Sequence, residues 1–448
     1  MFLHAIAQQS SLSWLKRISS ILGLLTFVAI LFFAMTACGF GRQAKSSAEQ
    51  GIIEHGPADK VVLAEPFASP SVRNSPGVLG WPQGGAPAAP PGFQVNLYAE
   101  DLENPRWLYV LPNGDVLVAE SLRGGRSDAP SSNRITLLRD ADRDGSPELR
   151  QTFLSDLNRP FGMVLLGNSF YVGNTDSLVR YPYQPGQTRI QAKGEKLLDL
   201  PSGGHWTRNV IADLEGLKLY VSVGSGSNVD ESGEDANDPR RAAILQLNPD
   251  GTGMRVFASG LRNPVGLAWE PVSKTLWTVV NERDGLGDQL VPDYLTRVRE
   301  GSFYGWPYSY HGQHQDPRKK GERPDLVSMA IAPDYALGSH VAPLGLAFYT
   351  GTSFPSQYHG GAFICLHGSW NRSQLVGYKV VFVPFQNGRP SGPMQDFLTG
   401  FIANEEASEV YGRPVGVAVL PDGSLLVADD AGNKVWRVSA AATTAANL

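Results

Sequence analysis

The amino-acid sequence predicts an all-β protein: a six-bladed β-propeller of four-stranded antiparallel sheets, preceded by a signal segment and a flexible linker. Six passages repeat the order strand, turn, strand, loop, strand, and almost no stretch has a long helical period. Turns are favoured by 49 glycines and 32 prolines in 448 residues. One repeat cannot bury both faces of a small sheet, whereas six packed around an axis leave only short edges. Paired β-sandwiches or a β-helix fit the uneven repeat spacing poorly.

The repeats share a small polar residue and a proline ahead of an apolar strand, then a tight turn and a second strand. "NPRWLYVLPNGDVLVAES" and "GRPVGVAVLPDGSLLVADD" contain the Asn-Gly and Asp-Gly turns that suit hairpins. The strand at 92–99 precedes the first repeat, and we expect it to pair with the last sheet and close the ring. The repeats begin at Asn104, Asn158, Gly204, Arg262, Ala342 and Gly412.

The N-terminus has the features of a targeting segment. A basic pair precedes an apolar run over 21–33, which is too short for a membrane span and ends at "AMTAC". The small residues before Cys38 resemble a bacterial lipoprotein box, which predicts a signal peptide over 1–37 and lipidation of Cys38. An uncleaved anchor and an ordinary signal peptide are the alternatives. All three export the body to the periplasm or cell envelope.

Composition sets the domain limits and the class of partner. Residues 38–91 are rich in Ala, Ser, Pro and Gly without periodicity, so we expect a flexible linker there, a propeller over 92–440 and a tail over 441–448. The formal net charge is -5 and no Lys/Arg run occurs, which favours a small-molecule partner and no nucleic acid. We expect membrane contact only through the N-terminal lipid or signal anchor.

Basic side chains recur where the repeats begin. In a propeller, the residues just before each innermost strand lie near one mouth of the central channel, so these positions should converge. Arginine offers carboxylates a fixed fork of donors, so the group predicts a site for an anionic ligand. The positions are Arg106, Arg159, His205 with Arg208, Arg262 with Asn263, His340 and Arg413.

Several motifs carry a family resemblance. They are "GGHWTRN" (203–209), "GLRNPVGLAWEP" (260–271), "NERDGLGDQL" (281–290), "FYGWPY" (303–308), "HGSWNR" (367–372) and "YGRPVGVAVLPDGSLLVADD" (411–430). With these motifs in this order, the body resembles the quinoprotein glucose/sorbosone dehydrogenases, six-bladed propellers that use pyrroloquinoline quinone (PQQ). The sorbosone-dehydrogenase-like branch resembles it more than the soluble glucose branch does. The resemblance implies oxidation of an aldose or a sorbosone-like sugar aldehyde to a lactone or acid, with hydride transfer to PQQ. No haem-attachment CxxCH is present, so the electrons should pass to an external acceptor.

The resemblance also implies roles for matching residues. His205 matches the general base, since imidazole titrates near neutral pH, and Asn263 matches an active-site asparagine. Arg208 is expected to steady an anionic ligand beside the base. Trp306 lies where the family places an aromatic against the PQQ ring system. The set expected to bind the cofactor is Arg372, Arg413, Trp306, Arg159 and His367.

Two loops are candidates for calcium, which prefers oxygen ligands. The resemblance carries metal-binding backbone carbonyls to Asp284 and Gly285, and Asp288 lies in the same loop. "DADRDGSPE" resembles the opening of a calcium loop but has glutamine at 151, where the EF-hand pattern asks for glutamate. It is either a structural calcium loop or a solvated acidic turn. Its candidate ligands are Asp140, Asp142 and Asp144.

The chain also departs from the family pattern. The glucose branch orients its base with an aspartate, but Ser225 stands at that place here, so we expect Asn228 or Asp230 to hold His205. This makes glucose a doubtful substrate. A calcium-dependent lactonase-type hydrolase would need carboxylates rather than arginines along the axis, and a noncatalytic binding propeller would not need the basic residues to converge. Both remain alternatives.

Overall fold

The computed structural model describes residues 51–121 and 132–441, which are almost entirely strands and loops. The expected signal peptide, Cys38, residues 39–50 and residues 442–448 lie outside the described residues, so the predictions about them stay predictions. The α-helix of the described part, α1 (Pro324–Met329), is one short element. Within these two ranges, no helix is both long enough and apolar enough to cross a membrane.

Six antiparallel sheets of four or five strands account for most of the described chain. Two short strands, β1 (His55–Pro57) and β2 (Gly77–Val78), come first, followed by β3 (Phe93–Ala99). Sheet 1 contains β4 (Pro105–Val110), β5 (Val116–Glu120), β6 (Arg134–Arg139) and β7 (Leu149–Leu154). Sheet 2 contains β8 (Met163–Leu166), β9 (Ser169–Gly173), β10 (Ser177–Pro182) and β11 (Glu195–Asp199). Sheet 3 contains β12 (Val210–Ala212), β13 (Leu219–Val223), β14 (Ala243–Leu247) and β15 (Arg255–Ser259).

The second half of the chain continues the series, with short hairpins in its longer loops. Sheet 4 contains β16 (Asn263–Trp269), β17 (Leu276–Asn281), β18 (Pro292–Arg297) and, after the hairpin β19 (Ser309–Tyr310) and β20 (His314–Gln315), β21 (Tyr335–Ser339). Sheet 5 contains β22 (Pro343–Phe348), β23 (Ala362–Leu366), β24 (Lys379–Val383) and, after the hairpin β25 (Phe385–Gln386) and β26 (Arg389–Pro390), β27 (Gln395–Leu398). After β28 (Ile402–Asn404) and β29 (Glu409–Val410), sheet 6 contains β30 (Pro414–Val419), β31 (Leu425–Asp429) and β32 (Lys434–Ala440). The described residues also contain 3-10 turns at Ala58–Lys60, Pro317–Lys319 and Ser356–Tyr358.

The first strands of the six sheets contact one another in order around an axis. β4 touches β8, β8 touches β12, and the series continues through β16, β22 and β30, which returns to β4. The strand that precedes the first repeat, β3, pairs antiparallel with β32 over Phe93–Ala440 to Ala99–Val435. The prediction that this strand joins the last sheet is therefore confirmed.

Glycines in the first strands allow this close approach. A Cβ on Gly416 would lie 2.6 Å from the carbonyl oxygen of Arg106, and one on Gly266 would lie 2.7 Å from that of Leu344. Both contacts are far shorter than packed atoms tolerate. The glycine that recurs after "RPV", "NPV" and "APL" thus exists because the next innermost strand passes over it.

The core lies between neighbouring sheets. Phe153 and Phe170, from sheets 1 and 2, are fully buried with ring centroids 5.4 Å apart in an edge-on arrangement. Phe363 and Val427 are buried in the corresponding core between sheets 5 and 6. Because each sheet buries both faces against its neighbours, the ring is held by apolar packing and its axial loops are left for polar residues.

Residues 52–91, which we call the strap, correct one expectation. They were expected to belong to a flexible linker, but β1 pairs with β21 and β2 pairs in parallel with β29. Glu54 forms an ion pair with Arg372, and the Trp81 indole donates to Asp429 Oδ2 at 2.6 Å. Composition suggested a tether because the strap's proline-rich backbone lacks periodicity. It is held instead by single strands, hydrogen bonds and one partly buried tryptophan.

Candidate active site

A cavity of about 610 Å³ lies among the loops that precede the innermost strands. This volume is in the ordinary range for small-molecule sites. Among the residues at the starts of the repeats, six line it: Arg106, His205, Arg262, Asn263, His340 and Arg413. Arg159 and Arg208 do not. The convergence expected from the repeats is therefore found for most of them, and the cavity has not been filled by apolar side chains.

His205 is oriented by Ser225. Its Nδ1 lies 2.9 Å from the Ser225 carbonyl oxygen and 3.0 Å from Ser225 Oγ. The Ser225 hydroxyl donates to the Ser227 carbonyl, so the contact with the carbonyl favours a proton on Nδ1. In that tautomer Nε2 carries the lone pair, which is what a general base needs. Ser225 thus holds Nδ1, and the expectation that Asn228 or Asp230 holds this histidine stays a prediction.

Asn228 and Arg262 form the wall of the cavity next to the base. Arg262 donates to the carbonyl of Glu282 at 2.6 Å and to the Asn228 side-chain oxygen at 2.9 Å. Its guanidinium also lies 3.5 Å from the Asp284 carboxylate. Asn263 follows directly, and its buried Oδ1 has no hydrogen-bond partner among the described residues. This oxygen is a ready acceptor for a bound group.

A second wall combines Arg106, His367, Arg413 and Asp430. Arg106 forms an ion pair with Asp430, and His367 Nε2 lies 3.0 Å from Asp430 Oδ1. Burial, together with the charge of Arg413, lowers the pKa of His367 to about 4, so its imidazole is neutral at neutral pH. Arg413 donates to the carbonyls of His367 and Gly368 at 3.0 and 2.8 Å. It is the one arginine of this wall that no carboxylate neutralises by direct ion pairing within the described residues.

Asp284 stands at the centre of a polar network. Burial would raise its pKa, but hydrogen bonding with His340 and the charge of Arg262 outweigh burial and lower it. Asn371 Nδ2 donates to Asp284 Oδ1 at 2.6 Å and lies 3.0 Å from His340 Nδ1. The carboxylate is therefore ionised and fixed at the cavity surface.

The expected calcium carbonyls are not presented to the cavity. The Asp284 carbonyl accepts from Asn228 at 2.9 Å and from Arg318 at 2.7 Å. Gly285 and Asp288 do not line the cavity, and Asp288 accepts from Ser373 instead. The Asp284 carbonyl therefore already has two protein donors, and a metal role for Gly285 and Asp288 stays a prediction.

The cavity is lined by carboxylates as well as by basic side chains. Glu282 and Asp293 line it together with Asp284 and Asp430, so the cavity holds carboxylates as well as the expected arginines. Asp293 accepts from the backbone of Glu282 at 2.7 Å, and burial raises its pKa to about 7. Glu282 Oε1 is buried without a hydrogen-bond partner in the described chain. The strand ends "NERD" and "VADD" contained this signal.

Three residues expected to contact a ligand serve the framework instead. Arg208 is fully buried and donates to the carbonyls of Pro201, His205 and Thr207, so it braces the loop of the base from behind. Arg372 pairs with Glu54 at 2.8 Å, outside this cavity. The Trp306 indole donates to the Asn228 carbonyl at 2.9 Å and is buried behind the wall.

Arg159 is also absent from the cavity lining, and its backbone N–H donates to Asn133 Oδ1. Two tryptophans that the resemblance did not single out line the cavity instead. The guanidinium of Arg106 lies 5.1 Å from the Trp206 ring centroid. Trp370 is 44% exposed, with Arg73 above its ring at 5.9 Å. The aromatic surface of the site is therefore supplied by these two residues.

The acidic loop on sheet 1 lies apart from this cavity. Asp140, Asp142 and Asp144 gather with Glu148 so that one oxygen from each lies within 4.8 Å of the others. Asp140 and Asp142 also accept from the backbone N–H of Asp144, each at 3.1 Å. The expected grouping of the three aspartates is present, with Glu148 in place of the residue at 151.

Several known proteins are similar to this chain in sequence or in structure. A TrAA12-like family model matches residues 87–308 and 313–441. A PQQ-dependent pyranose dehydrogenase of Coprinopsis cinerea is 24% identical over 407 residues, covering 77% of this chain and 53% of that protein. An uncharacterised protein of Borreliella burgdorferi is 29% identical over 363 residues, covering 78% of this chain and 89% of that one. A solved structure of a Trichoderma reesei family AA12 enzyme aligns with a TM-score of 0.67 at 21% identity, over 80% of this chain and 98% of that chain. The strap up to residue 86 precedes the matched region.

Proposed function

The chain belongs to the TrAA12-like family, and on that premise we propose that it is a PQQ-dependent sugar dehydrogenase whose six sheets are the six blades of a propeller. The observation that carries this proposal is the axial cavity, where His205 meets polar groups from four other sheets. The Coprinopsis relative is named for PQQ dependence and pyranose oxidation, which supports the same cofactor and substrate class here. The finer substrate that we propose is an aldose or a sorbosone-like sugar aldehyde.

The residues at the cavity fit the cofactor in part. PQQ is a planar tricarboxylate and, when bound, supplies the two-electron acceptor for oxidation. Arg413 offers a charge that no ion pair within the described residues neutralises, and Asn263 Oδ1 is a buried acceptor with no partner in that part of the chain. Trp206 and Trp370 offer aromatic faces for a planar group. Arg106 contributes little net charge because Asp430 neutralises it.

A divalent cation would balance the carboxylates of this site. Glu282 Oε1 and the Asp284 carboxylate are the oxygens with capacity to bind it, and calcium accepts such hard ligands. We therefore assign any axial calcium to these side chains. A second calcium at Asp140, Asp142 and Asp144 remains a separate structural proposal.

His205 performs the proton chemistry of the proposed reaction. Its Nδ1 is held by Ser225, so Nε2 accepts the proton of a sugar hydroxyl at neutral pH. Arg262 and Asn263 lie beside it and orient the hydroxyls through hydrogen bonds. The electrons leave to an external acceptor, and the proposed site of action is the cell envelope.

The test is reconstitution of the purified chain with PQQ and calcium. Reduction of a dye acceptor by aldoses or sugar aldehydes supports the proposal, and Arg413→Ala should require much more PQQ for the same rate. Absence of both PQQ binding and dye reduction rejects it.

The carboxylates at the axis favour one second candidate, a calcium-dependent lactonase-type hydrolase. It is distinguished by calcium-dependent release of acid from sugar lactones without any electron acceptor. A noncatalytic binding propeller predicts neither activity.

A further inference from the structure

A second, smaller cavity lies between the strap and the loop that carries β19 and β20. Its volume is about 380 Å³. On the strap side it is lined by apolar residues and Glu65, and on the loop side by Tyr310, His311, His314 and Gln315. None of these residues lines the axial cavity. The proposed dehydrogenase function therefore leaves this pair of histidines unexplained.

His311 is the unusual member of the pair. It is only 8% exposed, yet neither ring nitrogen forms a hydrogen bond of normal geometry with any described residue, although the backbone of Ala58 is close. A buried polar atom left unpaired in this way destabilises the folded state, because it has lost its hydrogen bonds with water. Such groups call for an explanation, and bound ions are among the usual ones.

His314 is placed to share a ligand with it. The two imidazole centroids are 6.4 Å apart. His314 stacks on Tyr310 at 6.0 Å, and its Nδ1 lies 3.1 Å from the His311 carbonyl oxygen. A proton on Nδ1 donates to that carbonyl, which leaves Nε2 as a free lone pair. Two imidazoles that bind one ion have centroids about 5 to 6 Å apart, so the observed separation is close to that of a shared ion.

We propose that His311 and His314, with the carboxylate of Glu65, form a site for a divalent transition-metal ion such as zinc. Imidazole nitrogens with one carboxylate oxygen suit zinc, nickel or copper rather than calcium. Glu65 is exposed and lies on the strap, so its side chain is free to turn toward the ion. The ion then links the strap to the loop between β18 and β21 of sheet 4, and it stabilises the position of the strap on the propeller.

The direct test is zinc titration of the full chain after chelator treatment, followed by calorimetry with calcium in excess to saturate oxygen sites. Wild type should bind one zinc equivalent that His314→Gln binds at least about tenfold more weakly. His314 is exposed, so this substitution leaves the core intact. Zinc should also raise the Tm of wild type by a few degrees and slow proteolysis within the strap, because a ligand that binds only the folded state stabilises it.

The matched control is His55→Gln, which removes an exposed histidine on the same strap but outside this cavity. It should keep the zinc equivalent and the Tm increase. The double variant His311→Gln/His314→Gln should lose both. Equal zinc stoichiometry and affinity in wild type and His314→Gln would overturn the site, whatever the result of the dehydrogenase assay.

Discussion

Removal of the Glu54 carboxylate is the sharpest test of how the strap is held. Arg372 donates to its two oxygens at 2.8 and 3.0 Å, and both side chains are only about one-sixth exposed, at 16% and 15%. Glu54 also accepts from the backbone of Ser339 at 3.3 Å. In Glu54→Gln the shape is retained, but the guanidinium is left without its counter-charge.

The expected cost is about 2 to 3 kcal/mol in the free energy of unfolding. Each charge-assisted hydrogen bond contributes about 1.5 to 3 kcal/mol. The loss is smaller than the sum for two such bonds, because glutamine still accepts one hydrogen bond. Arg372 also keeps its hydrogen bond to the Ser339 carbonyl at 3.2 Å. Urea denaturation measures it as a lower midpoint with an unchanged slope. Asp59→Asn is the control, because Asp59 and Lys60 are both 72% exposed and their ion pair should contribute nothing measurable.

The pH dependence has a defined sign. Burial would raise the pKa of Glu54, but Arg372 outweighs it and holds the pKa below its usual 4.5. The unfolded state therefore binds the proton first as pH falls, so the stabilisation is complete above about pH 4.5 and disappears below it. The difference in the free energy of unfolding between wild type and Glu54→Gln should therefore shrink over the same pH range. Equal stability of the two proteins at pH 7, or an equal loss of stability in Asp59→Asn, would refute the conclusion that the Glu54–Arg372 ion pair holds the strap in place.

Four further substitutions separate catalysis, cofactor binding and framework. His205→Ala should lower the rate of dye reduction at least about 100-fold with PQQ affinity nearly unchanged, as followed by kinetics and equilibrium titration; equal loss of both would contradict the base role. Arg413→Ala should weaken PQQ binding by about 1.5 to 3 kcal/mol in the same titration, more than the matched Arg372→Ala does. Arg208→Met should lower the free energy of unfolding by about 2 to 4 kcal/mol, since three carbonyls lose their donor, and a loss confined to PQQ affinity would contradict the framework role. His367→Gln should weaken the pH dependence of the free energy of unfolding between about pH 6.5 and 4. In wild type the pKa of His367 is lowered to about 4 in the folded state, so its contribution of about 3 kcal/mol to stability is present above pH 6.5 and is lost as pH falls. Denaturation at several pH values would measure the difference.

The sequence predicted the framework well because a propeller is encoded locally. The repeats placed a strand, a tight turn and a second strand in each sheet, and β3 paired with β32 as expected. Even the axial glycines, such as Gly416, were visible in the repeats, although their cause is a contact with the neighbouring sheet. Local pattern identifies strands, but it cannot show which backbone passes over which.

The site was predicted in part for the same reason. Position in the repeat brought His205, Arg262, Asn263 and Arg413 to one cavity. It did not show where each side chain turns. Arg208 donates to backbone carbonyls, and Arg372 forms an ion pair with a glutamate 318 positions earlier in the chain. Such long-range partners leave no local signal, so a basic residue at the right place in the repeat was mistaken for a ligand contact.

A crystal structure of the chain soaked with PQQ and calcium tests the central claim most directly. The account predicts PQQ in the axial cavity, with a carboxylate on Arg413 and a reacting edge facing His205. An empty axial cavity at saturating PQQ, or PQQ bound anywhere else on the molecule, would contradict it.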